Sequence, residues 1–282
     1  MVDQDIPHLL SVELLRDRFG EEGLPDEFPF SVPAVRTLPK ISFSRSVTLF
    51  AGDNGSGKST ILESIAIAAE LNILGAGDGE RDLTLAPQRE LARRLRLAWR
   101  RRSRRGFFLR AEDFFGYLKQ RARDDARIAR EMGETRGVPA AEAEQRARSA
   151  EHVDEVRARQ YIGQYDTRSH GESFLDIFLK RLRGDGLYIL DEPETPLSPE
   201  RQLQLVHLMY DAAERGAQFI VATHSPILLA YPGAQIFSVD AAPIRAVEYA
   251  DLPQVTLMRD FLNEPARYLR YLEPSADRRT GE

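Results

Sequence analysis

One stretch constrains this chain more than any other: GDNGSGKST at residues 52–60. It fits the pattern Gly, four residues, Gly-Lys-Ser/Thr through Gly52, Gly57, Lys58 and Ser59. Glycines let a backbone curl until successive N–H groups point inward at an anion. Lys58 adds a compact positive charge, and the Ser59 hydroxyl is a hard oxygen suited to Mg²⁺. The flanks agree. Ser46-Val47-Thr48-Leu49-Phe50-Ala51 reads as a buried strand, and residues 61–69 (ILESIAIAA) read as a helix. A strand, a glycine loop and a helix N-terminus together make a phosphate site. Gly52, Asp53, Asn54, Gly55, Ser56, Gly57, Lys58, Ser59 and Thr60 are therefore the expected phosphate-binding residues.

A second constellation follows from buried strands ending in polar groups. Leu187-Tyr188-Ile189-Leu190 runs into Asp191-Glu192, and Phe219-Ile220-Val221-Ala222-Thr223 runs into His224-Ser225-Pro226. The carboxyl ends of strands in an open α/β sheet are where ligands collect. An Asp there can hold a metal ion, directly or through water, and an adjacent Glu can orient or deprotonate an attacking water. A His beside such a site can sense a terminal phosphate.

The rest of the chain is read in order. Residues 6–19 suit a strand or a helix. Residues 28–35 read as an edge strand and turns between Pro25 and Pro39. Phe30 is either core or a contact for an adenine ring. Ile41 and Phe43 alternate with serines as in a half-solvated strand. Gly75 to Gly79 mark a break. From Pro87 a helical, strongly basic segment is expected, with nine arginines between Arg89 and Arg105 around Trp99. It is either a solvated helix end or a patch for the backbone of DNA or RNA. Residues 106–111 read as a strand ending at Glu112, and 113–168 as a charged helical insertion rich in i,i+4 pairs. Residues 199–215 read as a helix, 236–239 and 246–249 as a closing hairpin, and 255–271 as a C-terminal helix.

Composition narrows the class. The 282 residues carry no Cys, which excludes disulfides and thiolate metal sites and fits a reducing, cytoplasmic setting. No apolar run reaches the roughly 20 residues a membrane span needs. The net charge of −5 neither requires nor forbids nucleic acid.

Taken together, GDNGSGKST, FFLRAEDFF (107–115), SHGESF (169–174), LYILDEPETPLSP (187–199) and ATHSPILLAYPGA (222–234) resemble the ABC class of P-loop ATPases. Within it they are most similar to stand-alone bacterial AAA-family ATPases related to SMC-like DNA-repair heads. The resemblance implies one α/β domain over 1–282: a lobe at 1–112 with an antiparallel subsheet and the phosphate loop, the insertion at 113–168, and a second lobe at 169–282. It implies ATP and Mg²⁺ as ligands. It assigns Asp191 and Glu192 to the magnesium-associated and catalytic acids and His224 to the switch histidine. Lys58 joins them in catalysis. Ser169 and Gly171 stand where the signature motif meets the γ-phosphate on a second subunit, with His170 and Glu172 departing from the usual residues. Glu112, ahead of Gln88, takes the place of the usual metal-side glutamine. The implied function is an ATP-hydrolysing switch that closes as a homodimer around ATP and acts on a nucleic-acid or protein partner. A transporter's cytoplasmic cassette and a nucleotide-binding scaffold with little turnover are the alternatives. The cassette lacks support in the signature and glutamine positions.

Overall fold

The computed structural model describes residues 7–270 except 22, 75–84, 104, 112–174, 176–177, 183 and 241. Its centre is a seven-stranded sheet. Strands β3 (Val47–Ala51), β4 (Asn72–Leu74), β6 (Gly106–Arg110), β7 (Gly186–Asp191), β8 (Ala217–Thr223) and β9 (Gln235–Ser238) run parallel, in the order β9-β3-β8-β7-β6-β4. A short strand, β10 (Arg245–Ala246), closes the β9 edge antiparallel. A second sheet is antiparallel, with β1 (Leu9–Leu14) between β2 (Ile41–Ser42) and β5 (Leu95–Trp99). The expected architecture of a mixed, helix-flanked sheet with an antiparallel subsheet is what the chain adopts.

The central strands are apolar at nearly every position because both faces are covered. Alternate side chains then serve different cores. Val47, Leu49, Tyr188, Leu190, Phe219 and Val221 pack on one side with Leu205 and Met209 of helix α4 (Pro199–Ala213). Phe50, Ile189 and Ile220 pack on the other with Ile61, Leu62 and Ile65 of helix α2 (Lys58–Ala68) and with Leu9 and Val12 of the second sheet. Tyr188 stacks on Phe219 at 5.3 Å and meets Phe107 edge-on at 5.1 Å, which ties β6, β7 and β8 together. Helix α4 starts where Ser198 accepts a hydrogen bond from the Arg201 amide and Pro199 occupies the first turn.

Four sequence expectations give way. Residues 28–35 form turns and a short helix, α1 (Pro33–Arg36), not an edge strand; Pro29 and Pro33 deny a ladder its donors, and Phe30 and Val35 are drawn into the core. The basic helix ends early: α3 is Ala86–Arg93, and the chain then becomes β5. Leu95, Leu97 and Trp99 alternate with Arg96, Ala98 and Arg100, and pairing to β1 lets those three lean on the second core. The hairpin's second strand stops at Ala246, and Tyr249–Asp251 is a 3₁₀ turn. The C-terminal helix breaks into α6 (Pro253–Asn263) and α7 (Pro265–Leu269), because Pro265 pushes Glu264 off helical geometry (φ −135°, ψ 64°). Helix α5 (Pro226–Leu229) lies between β8 and β9. The whole of the insertion expected at 113–168, and the segment with Ser169 and Gly171, lie outside the described residues, as does Glu112. Among the described residues no helix is long and apolar enough to cross a membrane.

Candidate functional site

Parallel register decides which residues meet. β3, β6, β7, β8 and β9 all end at the same edge of the sheet. Arg110 lies opposite Asp191, Asp191 opposite Ala222, and Ala51 between Thr223 and Ser238. The groups that follow these strands therefore gather at one rim. There they line a cleft of about 470 Å³ formed by Phe28, Val32, Asn54, Gly55, Gly57, Lys58, Ser59, Thr60, Arg110, Ala111, Asp191 and Glu192.

The loop at 52–57 passes from β3 into α2. Gly57 sits at φ +102°, and a Cβ there would come within 2.7 Å of Val32 Cγ1, so both backbone and space demand glycine. No side chain caps α2, so the N–H groups of its first turn remain available to an anion. Lys58 is buried and donates from Nζ to the carbonyls of Gly52 and Asp53, both at 2.8 Å. The start of the loop is held from the far side by Asp240, whose Oδ1 accepts from the Asp53 amide at 2.6 Å. A Cβ on Gly52 would sit 2.8 Å from that oxygen. Asp240 carried no sequence signal beyond following a short strand.

One wall of the cleft is a buried polar cluster. Ser59 Oγ donates to Asp191 Oδ1 at 3.1 Å. The Arg110 guanidinium lies between two carboxylates, pairing with Glu63 through Nη2 and standing 3.7 Å from Asp191 Oδ2 through Nε. Gln88 of α3 donates to the other Glu63 oxygen at 2.8 Å. Glu63, Gln88 and Asp191 are all buried. Burial pushes the Asp191 carboxyl up to about 6, against the pull of Ser59's hydrogen bond and the Arg110 and Lys58 charges. Ser59 and Asp191 offer two converging hard oxygens, the donor chemistry that Mg²⁺ accepts while keeping several waters. Among the described residues no group of three or more His, Asp or Glu side chains gathers as a metal cage. Gln88 is not among the groups that line this cleft; it is turned to Glu63.

The opposite wall is more open. Glu192 follows β7 at φ +49°, a left-handed conformation that costs a non-glycine residue roughly 1–3 kcal/mol. Its amide donates to the Ala222 carbonyl at 2.9 Å, which fixes it beside β8. His224 is not among the groups that line the cleft; it stands beside it, half exposed, its Nδ1 3.9 Å from Glu192 Oε1 and 3.4 Å from Glu194 Oε1. Glu194 is the organising residue. Its buried Oε1 accepts from Thr223 Oγ1 at 2.6 Å, the His224 amide at 2.9 Å and the Ser225 amide at 3.2 Å. This carboxylate thus clamps the turn after β7 to the end of β8. Glu194 stands two residues beyond Glu192, at the start of a loop (194–198) that by resemblance crosses a dimer interface, and no local pattern marks it as a clamp.

Two other expectations resolve differently. Phe30 is core, edge-on to Phe19 at 5.1 Å; the aromatic at the cleft mouth is Phe28, half exposed. The arginine cluster is extensively paired. Arg93 and Arg94 meet Glu90, Arg96 meets Glu13, Arg101 meets Asp185 and Arg102 meets Glu70. Trp99 packs against the core cluster beneath.

Residues 84–230, more than half of the chain, match the family described as "AAA domain, putative AbiEii toxin, Type IV TA system". Residues 35–90, which include the phosphate loop, match a second family described as "AAA domain". No curated protein matches the chain. Similar solved structures include the SMC head domain from Thermotoga maritima, 23% identical over 28% of this chain and 33% of that one, with a TM-score of 0.23. The Smc head of Pyrococcus furiosus bound to the C-terminal domain of ScpA is 12% identical over 92% and 100%, TM-score 0.38. CbiO1 from Clostridium perfringens, part of the ABC transporter complex cbiONQ, is 16% identical over 95% and 100%, TM-score 0.39. The chain thus spans a third of the length of the first of these, and the fold given above rests on its own strand order and register. With Asp191, Glu192 and His224 inside the longer match and the phosphate loop inside the shorter, the chain belongs to the AAA-domain family and has the fold of a P-loop ATPase.

Proposed function

We propose that the cleft binds ATP with Mg²⁺ and hydrolyses it to ADP and phosphate. The observation that carries this reading is the meeting of three things at one sheet edge: an uncapped helix N-terminus with Lys58, the Ser59–Asp191 oxygen pair, and Glu192. In this reading the backbone of Gly52, Asp53, Asn54, Gly55, Ser56 and Gly57, with Lys58 and Thr60, cradles the phosphates. Phe28 and Val32 offer an apolar wall to the base. Ser59 and Asp191 would hold the Mg²⁺, which neutralises charge on the phosphate oxygens when bound. Glu112 stands as a further metal-side group on sequence alone.

Chemistry at this site is mostly positioning and charge stabilisation. Glu192 orients a water and accepts its proton as the water oxygen bonds to the terminal phosphorus. The phosphorus–oxygen bond to ADP then breaks, and Lys58 faces the negative charge gathering there. His224, held by Glu194, lies where it can contact the terminal phosphate. Because His224 is half exposed and Glu192 partly so, a second copy bringing Ser169 and Gly171 to the phosphate would complete the site. Such an isologous pair would close on ATP and loosen on ADP, which is the behaviour of a switch acting on a protein or nucleic-acid partner.

The test pairs two variants. Lys58→Ala is expected to lose ATP binding by at least about tenfold in equilibrium titration, since a phosphate-facing cation is removed. Glu192→Gln is expected to bind ATP normally and to release phosphate about 10²–10³ times more slowly. Normal ATP affinity in the first variant would overturn the site. Normal turnover in the second would move the water-activating role elsewhere.

A further inference from the structure

Resting on the reading of this cleft as a nucleotide site, we propose that Arg110 is the positioning residue that makes it favour a divalent cation carried as the metal–nucleotide complex over the bare ion. Arg110 lines the cleft, yet none of the roles above uses it. It belongs to a closed ring. Ser59 and Glu63 lie four residues apart on one face of α2. Ser59 bonds Asp191, Asp191 faces Arg110 and Arg110 pairs with Glu63. Backbone register sets Arg110 beside Asp191 on the neighbouring strand, and the pair with Glu63 anchors its guanidinium there. Gln88, bonded to the far oxygen of Glu63, holds that carboxylate toward Arg110 and leaves it no freedom to turn to a metal.

The charge balance gives the consequence. Arg110 is shared by the carboxylates of Glu63 and Asp191, and Lys58 and Glu192 line the same cleft. A bare divalent cation reaching Ser59 and Asp191 must settle beside a guanidinium that already shares the Asp191 carboxylate. The positive charge at that range, in a partly buried site, weakens the attraction of Asp191 for a bare ion. A metal ion carried on a triphosphate arrives with net negative charge, and the same guanidinium then attracts it. Without Arg110, the carboxylates of Glu63 and Asp191 would lose the cation they share, and a bare ion would meet a more acidic site. Arg110 therefore links metal entry to nucleotide entry. This holds a buried Glu63 in use as well: its role is to keep Arg110 aimed at Asp191.

The experiment measures Mn²⁺ binding by the loss of the free-ion electron paramagnetic resonance signal, without nucleotide, on the full chain at pH 8. Binding of Mn²⁺·ATP to the same proteins is measured alongside. Arg110→Gln is expected to bind bare Mn²⁺ at least about tenfold more tightly than the unmodified protein, and Mn²⁺·ATP about tenfold more weakly. Arg110→Lys, which keeps the charge, is expected to return both toward the unmodified values, and it serves as the folded variant should Gln destabilise the ring. Unchanged Mn²⁺ affinity in a folded Arg110→Gln would overturn the proposal and leave Arg110 a purely structural strut. Failure of the unmodified protein to bind Mn²⁺·ATP would instead overturn the nucleotide reading itself.

Discussion

The two walls of the cleft are built on different principles. On the metal side, Ser59, Glu63, Gln88, Arg110 and Asp191 form a buried network in which each member has a partner. On the water side, Glu192 is only partly buried and His224, beside the cleft, is half exposed, and the 3.9 Å between them is longer than a hydrogen bond. Their order comes from beneath, through the Glu194 clamp and the backbone of β8. The difference suits two tasks. A ground-state ligand is held best by groups already fixed in place. A group that meets a water and a terminal phosphate gains from being free to close on them once both are present.

The comparison can be broken at its strongest point first. Glu194→Ala removes one acceptor shared by Thr223, His224 and Ser225, and leaves buried donors without a partner. A loss of about 3–5 kcal/mol in denaturant unfolding is expected. Glu194→Gln, which keeps an acceptor oxygen, should recover much of it. A loss below about 1 kcal/mol for the alanine variant would mean that the water side is ordered by something other than this clamp.

The metal side is sharpened by pH. Asp191 titrates near 6 in the fold, above its usual 3.8, because burial disfavours its charge. The native state thus holds the proton more tightly than the unfolded chain, and stability falls as pH rises from about 4 to about 6. Beyond that window the cost is constant, at about 3 kcal/mol for a shift of this size. Asp191→Asn should remove that slope. Its unfolding free energy relative to the unmodified protein is expected to rise across the window and then level off. A flat difference from pH 4 to pH 7 would show that Arg110 and Ser59 fully offset the burial.

The smallest effect concerns the Glu192 backbone. At φ +49° a glycine is at ease where alanine is not. Glu192→Gly should be more stable than Glu192→Ala by about 1 kcal/mol, although both lack the carboxylate. Equal stability of the two would mean that the turn relaxes out of its left-handed conformation when the side chain is lost.

Much of the site was legible from the sequence because its signals are local. The phosphate loop needs glycines at fixed offsets, and the strands before Asp191 and His224 are short apolar runs ending in polar groups. Phe28, Arg110 and Asp240 carry no such signal, and nothing local marks Glu194 as a clamp. Each acts through a partner distant in sequence, and a lone charged or aromatic residue after an ordinary strand or turn has no local pattern to betray it. The arginine-rich segment misled in the opposite way. Its composition favoured a helix, while the alternation of Leu95, Leu97 and Trp99 belonged to a strand that needed β1 to form.

What the sequence determined by itself was the loop that curls for phosphate, the strands buried on both faces, and the identity of Lys58, Ser59, Asp191, Glu192 and His224 as the polar groups at their ends. These follow from short-range sterics and from hydrophobic period. What only the tertiary structure decided was the order of the strands. Placing β8 between β3 and β7 sets His224 between the phosphate loop and Glu192, and placing β6 against β7 sets Arg110 against Asp191. Strand order is fixed by how two cores are filled on opposite faces of one sheet, a sum over contacts between residues far apart in the chain, and no local stretch of sequence contains it.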